Sequence, residues 1–142
     1  MKTFTKEEID LIIESHGIWL LDPKKGERAD FSSTDLSSMD LSFVDLSFAK
    51  FSFANLNHAT LRHSYMRGTD FSHANLSHAN LRHVDLFGAN LSYADLRDAD
   101  LSFIDIHYAN LKSTNLNSRN LMFVNLENVK LEIAIITQEE SI

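Results

Sequence analysis

The chain has no cysteine, one proline (Pro23), four glycines and one tryptophan among its 142 residues. Without cysteine there is neither a disulfide nor a thiolate metal site, which suits a reducing cytosol. No stretch approaches the ~20 apolar residues of a membrane-spanning helix. Glu7, Glu8 and Asp10 stand where a signal peptide needs an apolar run, so the chain is expected to be cytoplasmic. The glycines form no phosphate-cradling loop, and nucleophile-elbow and HExxH patterns are absent too. With none of these motifs present, neither enzymatic activity nor a cofactor is expected.

What is there is a beat of five. From Phe31 to Leu131 every fifth residue is apolar: sixteen Leu, three Phe, Met66 and Ile106. Asp or Asn stands just before this central residue in seventeen of the twenty-one repeats, and a small or β-branched residue two places before it in most. A period of five fits neither regular structure. On a helix it scatters the leucines round every face, and on a strand it flips them from side to side. They share one interior only if the chain turns once per repeat, and Asp and Asn suit such turns because they bond nearby backbone. The pattern therefore predicts an all-β solenoid, stabilised by stacking of neighbouring coils. Departures from the consensus recur twenty residues apart (Phe31, Phe51 and Phe71; Gly68 and Gly88; Arg62 and Arg82; His63 and His83), which points to four repeats per coil.

Runs such as Ala54-Asn55-Leu56-Asn57-His58 and Ala94-Asp95-Leu96-Arg97-Asp98 resemble the pentapeptide-repeat family, over residues 29 to about 133. The resemblance implies a right-handed quadrilateral β-helix with the central residue and the one two before it facing inward; the repeat number makes it about five coils, roughly 25 Å long at strand spacing. Trp19-Leu20 and Gly26 to Phe31 are similar to the lead-in of some bacterial members. Three segments follow. Residues 1–28 form an N-terminal capping helix and lead-in, 29–133 the β-helix, and 134–142 a C-terminal tail. The helix is read at 5–16, with a Thr5/Glu8 capping box, a stripe of Ile9, Ile12 and Ile13, and Gly17 as its stop. Ile18 to Leu21 are expected to lie beneath it. Ile133, Ile135 and Ile136 make the tail either a partial cap or the contact of a homodimer, and the resemblance favours the dimer.

If four repeats make a coil, the face with central residues 41, 61, 81, 101 and 121 carries Arg62-His63 below Arg82-His83, flanked by Phe43, Phe103 and Phe123. Arginines and rings massed on one side are what protein interfaces enrich, although such columns also stack to stabilise coils. This face is the first choice for binding another protein. The resemblance implies an alternative, since certain members imitate DNA and bind type II topoisomerases such as DNA gyrase. The face for that is the acidic one, with Asp45, Asp85, Asp105 and Glu127, but Arg67 interrupts it and the repeats carry only −4 of the formal −7. A third possibility is a structural spacer or prophage accessory protein with no dedicated ligand. His58, His78 and Asp98 share a face, yet a flat ladder does not converge on a tetrahedral metal, so no metal site is expected, and no direct nucleic-acid contact either. Ser64-Tyr65-Met66 is expected to cause a local bulge. Arg119, at an inward position, is expected either to reach solvent or to mark where the last coil opens.

Overall fold

The structure, a computed structural model, describes residues 1–121, 124–132 and 135–138, the side chains of 118, 119 and 135 aside. The elements in chain order are strand β1 (Lys2–Thr3), helix α1 (Lys6–Leu21), strand β2 (Thr34–Asp35), strand β3 (Asn115–Asn117), a 3-10 turn over Ser118–Leu121, and strand β4 (Ile135–Thr137). Between β2 and β3 the chain is a spiral of single-residue parallel bridges, each joining a residue to the one twenty places on, from Asp30↔Lys50 through Asn90↔Asn110. The twenty-residue step makes four repeats per turn. Each central residue from Phe31 to Leu116 is buried, with the small residue two before it buried as well in most repeats.

One repeat shows why the sequence folds this way. In Ala54 to His58, the Ala54 N–H donates to the Phe51 carbonyl (3.0 Å) and closes the turn. Asn55 N–H donates to Thr34 O in the coil before (2.9 Å), while Leu56 and His58 donate to Asn75 O and Ser77 O in the coil after (2.7 and 3.2 Å). The fifth N–H, of Asn57, has no backbone partner; it donates to the side-chain oxygen of Asn55 at 3.2 Å. A buried or half-buried amide needs an acceptor. The Asp or Asn before the central residue supplies it in repeat after repeat, as Asp45 does for Ser47 N–H, Asp70 for Ser72 and Asn110 for Lys112, each at 3.0 Å.

The turn has a second requirement. Its third residue lies in the left-handed region, with φ near +60° in each repeat from Ser33 to Ser113 and again at Asn128, the arrangement of a type II turn. Glycine or asparagine adopts that conformation most easily, yet most of these positions hold Phe, His, Tyr or Ser.

Inside, Phe31, Phe51 and Phe71 stack with centroids 5.0 and 4.9 Å apart. Further along, where leucine replaces phenylalanine, an apolar cavity of about 10 Å³ lies among Leu81 to Leu121, too small and dry to hold a ligand. Ser64, Thr69 and Thr114 are buried, and each hydroxyl donates to a carbonyl of the preceding coil at 2.7 to 3.1 Å. Hence no bulge forms at Ser64-Tyr65-Met66. Tyr65 points to solvent, and the bridges Asp45↔Tyr65 and Tyr65↔Asp85 keep register.

Helix α1 has the expected capping box, Thr5 accepting from Glu8 N–H and Glu8 accepting from Thr5 N–H. It does not stop at Gly17. It runs on to Leu21, so Ile18 to Leu21 are its last turn rather than a layer beneath it. Glycine inside a helix costs about 1 kcal/mol, and tertiary contacts outweigh that. His16 is fully buried: its Nδ1 accepts the Ala29 N–H at 2.9 Å and its Nε2 lies 2.9 Å from the Ser47 carbonyl, an arrangement of the neutral ring protonated at Nε2. Trp19 stacks on it at 5.3 Å. The lead-in then crosses so close to the helix that a Cβ on Gly26 would sit 2.3 Å from Ser15 O. β1 pairs in parallel with β2 on the edge of the first coil.

At the other end, the 3-10 turn over Ser118–Leu121 interrupts the beat near Arg119, whose side chain lies outside the described residues. Asn117 and Asn120 hold this turn through reciprocal side-chain bonds to each other's N–H (2.9 and 3.2 Å). β4 pairs with β3 at the same twenty-residue step, so Ile135 to Thr137 continue the ladder. Ile136 is half-exposed, and Ile133 lies outside the described residues.

Candidate functional site

The arginine–aromatic face is built from the left-handed turn position of four successive coils. Phe43, His63, His83 and Phe103 form one ladder, with centroids 5.1, 4.6 and 4.7 Å apart and ring planes within 11° of parallel. All four side chains are exposed, Phe43 by 67% and Phe103 by 70%. The guanidinium of Arg62 lies 5.4 Å from the Phe43 ring and that of Arg82 5.7 Å from Phe103, within cation–π range. Arg82 also reaches Asp100 at 3.5 Å. Phe123 lies outside the described residues.

Stacking consumes the faces of the rings and leaves their edges outward. Ring edges carry partial positive charge, and with the two guanidinium groups they present a face suited to carboxylates and carbonyls. The backbone makes the choice of residues informative. Four non-glycine residues sit at φ 58 to 61°, each at roughly 1–2 kcal/mol above its usual conformation. Ring stacking at about 0.5–1.5 kcal/mol per pair offsets this in part.

The acidic face is differently employed. Asp45 accepts from Ser47 N–H (3.0 Å), Asp85 accepts from Phe87 N–H (3.1 Å) and from Arg67 Nε (2.5 Å), and Asp105 accepts from His107 N–H and Nδ1 (3.0 and 2.6 Å). Burial works to raise the Asp105 pKa, but the hydrogen bonds from His107 prevail and hold it below the usual carboxylate value. Glu127 lies in such a turn as well, its N–H donating to Asn125 Oδ1 at 2.9 Å, but its own carboxylate is not the turn acceptor and it is exposed. These acids are turn parts first, and Arg67 neutralises the one in the middle.

The remaining columns include one that the sequence pattern did not reveal. Phe53, His73 and Tyr93 stack at 4.5 and 4.7 Å with planes within 3°, a ladder hidden by its change of residue type at each step. On the next side His58 stacks on His78 at 4.8 Å, and His78 lies 3.8 Å from Asp98. Among the described residues, no cluster of three or more His, Cys, Asp or Glu could hold a metal. The fourth column is broken, because Phe48 lies across Gly68, where a Cβ would come within 2.6 Å of its ring.

The model for pentapeptide repeats matches residues 27–62, 64–102 and 85–118, with 8 copies. The chain belongs to the pentapeptide-repeat family. Among solved structures, a pentapeptide-repeat protein from Nostoc PCC 7120 is 28% identical with a TM-score of 0.66, covering 91% of this chain and 96% of that one. The pentapeptide-repeat protein Rfr23 from the cyanobacterium Cyanothece 51142 is 23% identical with a TM-score of 0.54, covering 90% and 96%. QnrB1, a plasmid-mediated fluoroquinolone resistance protein, matches at 15% identity and a TM-score of only 0.31, covering 80% and 84%. No curated protein matches the chain. The pentapeptide-repeat fold is a right-handed quadrilateral β-helix, and the four bridged sides described above are its four faces.

Proposed function

We propose that the protein is a non-enzymatic, cytoplasmic rod of about five coils, closed by α1 at its first coil, that binds another protein through the face of Phe43, Arg62, His63, Arg82, His83 and Phe103. One observation carries this reading: four exposed rings occupy the left-handed turn position, where the backbone favours glycine or asparagine, and an exposed arginine precedes each of the two histidines. Stacking accounts for the ring faces. It does not account for the two arginines placed over the terminal rings or for the exposed edges between them, and such groups are what interface centres enrich. A partner with an acidic or carbonyl-rich surface matches their chemistry.

The gyrase-directed alternative has less support. Its acids are committed to turns, and Arg67 pairs with Asp85 at the centre of the face. A supercoiling assay separates the two readings, because a gyrase modulator alters supercoiling at micromolar levels and this rod leaves it unchanged. The main test is capture from native cytosol with the wild-type protein, with Arg82→Ala/Phe103→Ala, and with Arg97→Ala on another face as control. Loss of the same bound protein in the first variant alone supports the proposal. Full retention of every bound protein by that variant removes it.

A further inference from the structure

We propose that the outward side of α1 is a self-association surface that joins two copies of this chain antiparallel, helix against helix. Ile9 and His16 are the buried side of α1. On the opposite side Glu7, Leu11, Glu14, Ile18 and Leu21 fall at i, i+4, i+7, i+11 and i+14, a single stripe along the helix. Its apolar members face solvent, with Leu11 65% exposed, Ile18 43% and Leu21 90%. A lone exposed leucine is ordinary. Three apolar residues aligned along one stripe, opposite the side that docks on the solenoid, form a second seam.

The charges say what covers it. The first half of the helix carries Glu7, Glu8, Asp10 and Glu14 against one cation, Lys6, which pairs with Asp10 at 2.6 Å, and the turn just after its end carries Lys24 and Lys25 against Asp22, 3.7 Å from Lys25. A parallel pair would set acids against acids, whereas an antiparallel pair sets the acids of each copy against the lysines of the other. The same register sets Leu11 against Leu21 of the second copy, twice about a twofold axis near His16 and Gly17, with Ile18 beside the stem of Glu14 and Glu7 near the turn that carries Lys24 and Lys25. Gly17 flanks the stripe beside that axis. A Cβ there would meet nothing within 4 Å beyond the adjoining helix backbone, so no packed side chain or other segment fills the space. Helix separation depends on the side chains at the crossing, and glycine permits a close one. One 16-residue helix per copy offers fewer residues than the ~20–30 a side of a standard interface, so the dimer is a weak one.

Sedimentation equilibrium of the full chain up to ~200 µM tests this, a range chosen for an interface below standard size. A concentration-dependent dimer is expected. Leu11→Glu/Leu21→Glu should weaken it at least ~tenfold, about 1.4 kcal/mol, with an unchanged circular-dichroism spectrum because both side chains are exposed. Glu7→Lys should weaken it, and Glu7→Lys/Lys25→Glu should restore it. A strict monomer through the whole range overturns the proposal. So does a dimer indifferent to the Leu11/Leu21 changes, or one lost instead on Ile136→Asp at the C-terminal end.

Discussion

Replacing Asp70 with alanine removes the acceptor for the one amide in its repeat that has no backbone partner. Asp70 Oδ1 accepts the Ser72 N–H at 3.0 Å and an Asn90 side-chain N–H at 3.3 Å. A typical hydrogen bond contributes about 0.5–1.5 kcal/mol net, and a bond to a charged group about 1.5–3. Ser72 is only half-buried, so water takes up part of the loss, and the expected penalty is about 1.5 kcal/mol. That is roughly a tenfold shift in the local opening equilibrium. Amide hydrogen exchange is the right assay, because a solenoid need not unfold as one unit. The Ser72 amide should exchange about tenfold faster in Asp70→Ala. In Asp70→Asn it should stay near wild type, since the amide oxygen occupies the same place and the column neighbours are Lys50 and Asn90. Equal exchange in both variants would refute the argument that a side-chain acceptor, rather than charge, is what this position supplies.

Phe51→Ala should destabilise the first coils by about 3–5 kcal/mol, because the ring is fully buried between Phe31 and Phe71, and Phe51→Leu by much less; urea titration reads the difference. Gly26→Ala should loosen α1 from the lead-in, since the new Cβ would meet helix backbone at 2.3 Å, and faster exchange at Ala29 N–H would show it. The pH dependence follows from His16. Burial lowers its pKa below 6.5 despite the Ser47 carbonyl and nearby Asp45, with Arg28 adding to the decrease. The unfolded chain therefore binds the proton more readily than the folded one. The contribution to stability is complete above about pH 6.5 and is lost progressively as pH falls below it. His16→Gln should flatten the stability profile between roughly pH 5 and 7, and an unchanged slope would contradict the assignment. A second loss is expected at lower pH. Hydrogen bonds from Ser37 and Ser42 hold Asp35 and Asp40 below their ordinary value, so what they contribute is present above about pH 3.9 and lost as the carboxyls protonate.

Much of the spiral is legible in the chain because its rules are local. The fifth-residue leucines need one shared interior, Asp and Asn answer an orphan amide within two residues, and the triplet Phe31, Phe51, Phe71 reports the coil length directly. What escaped depends on contacts between distant parts. Gly17 reads as a helix stop until His16 is seen locked between Ala29 and Ser47. Strand β1 is two residues long, and only its pairing with Thr34 and Asp35 makes it a strand. The Phe53–His73–Tyr93 ladder is invisible to a search for repeated identities, although its members share planarity. Ser64-Tyr65-Met66 looks disruptive on bulk alone, but the bulk faces water and the small hydroxyl faces the Leu41 carbonyl. The arginine–aromatic face was legible as a list of residues. Its stacked geometry, and the placement of each arginine over a ring, were not.

The absence of cysteine makes a direct test of the twenty-residue coil possible. Ser32 and Ser52 lie one above the other with their hydroxyl oxygens 3.1 Å apart, and Cα atoms at strand spacing of ~4.8 Å fall within disulfide range. Under mild oxidation, Ser32→Cys/Ser52→Cys should form an intramolecular disulfide in nearly every molecule, while Ser37→Cys/Ser52→Cys, on different sides of the rod, should stay reduced. Ready cross-linking of the second pair, with the first left as free thiols, would contradict the coil on which every face described here depends.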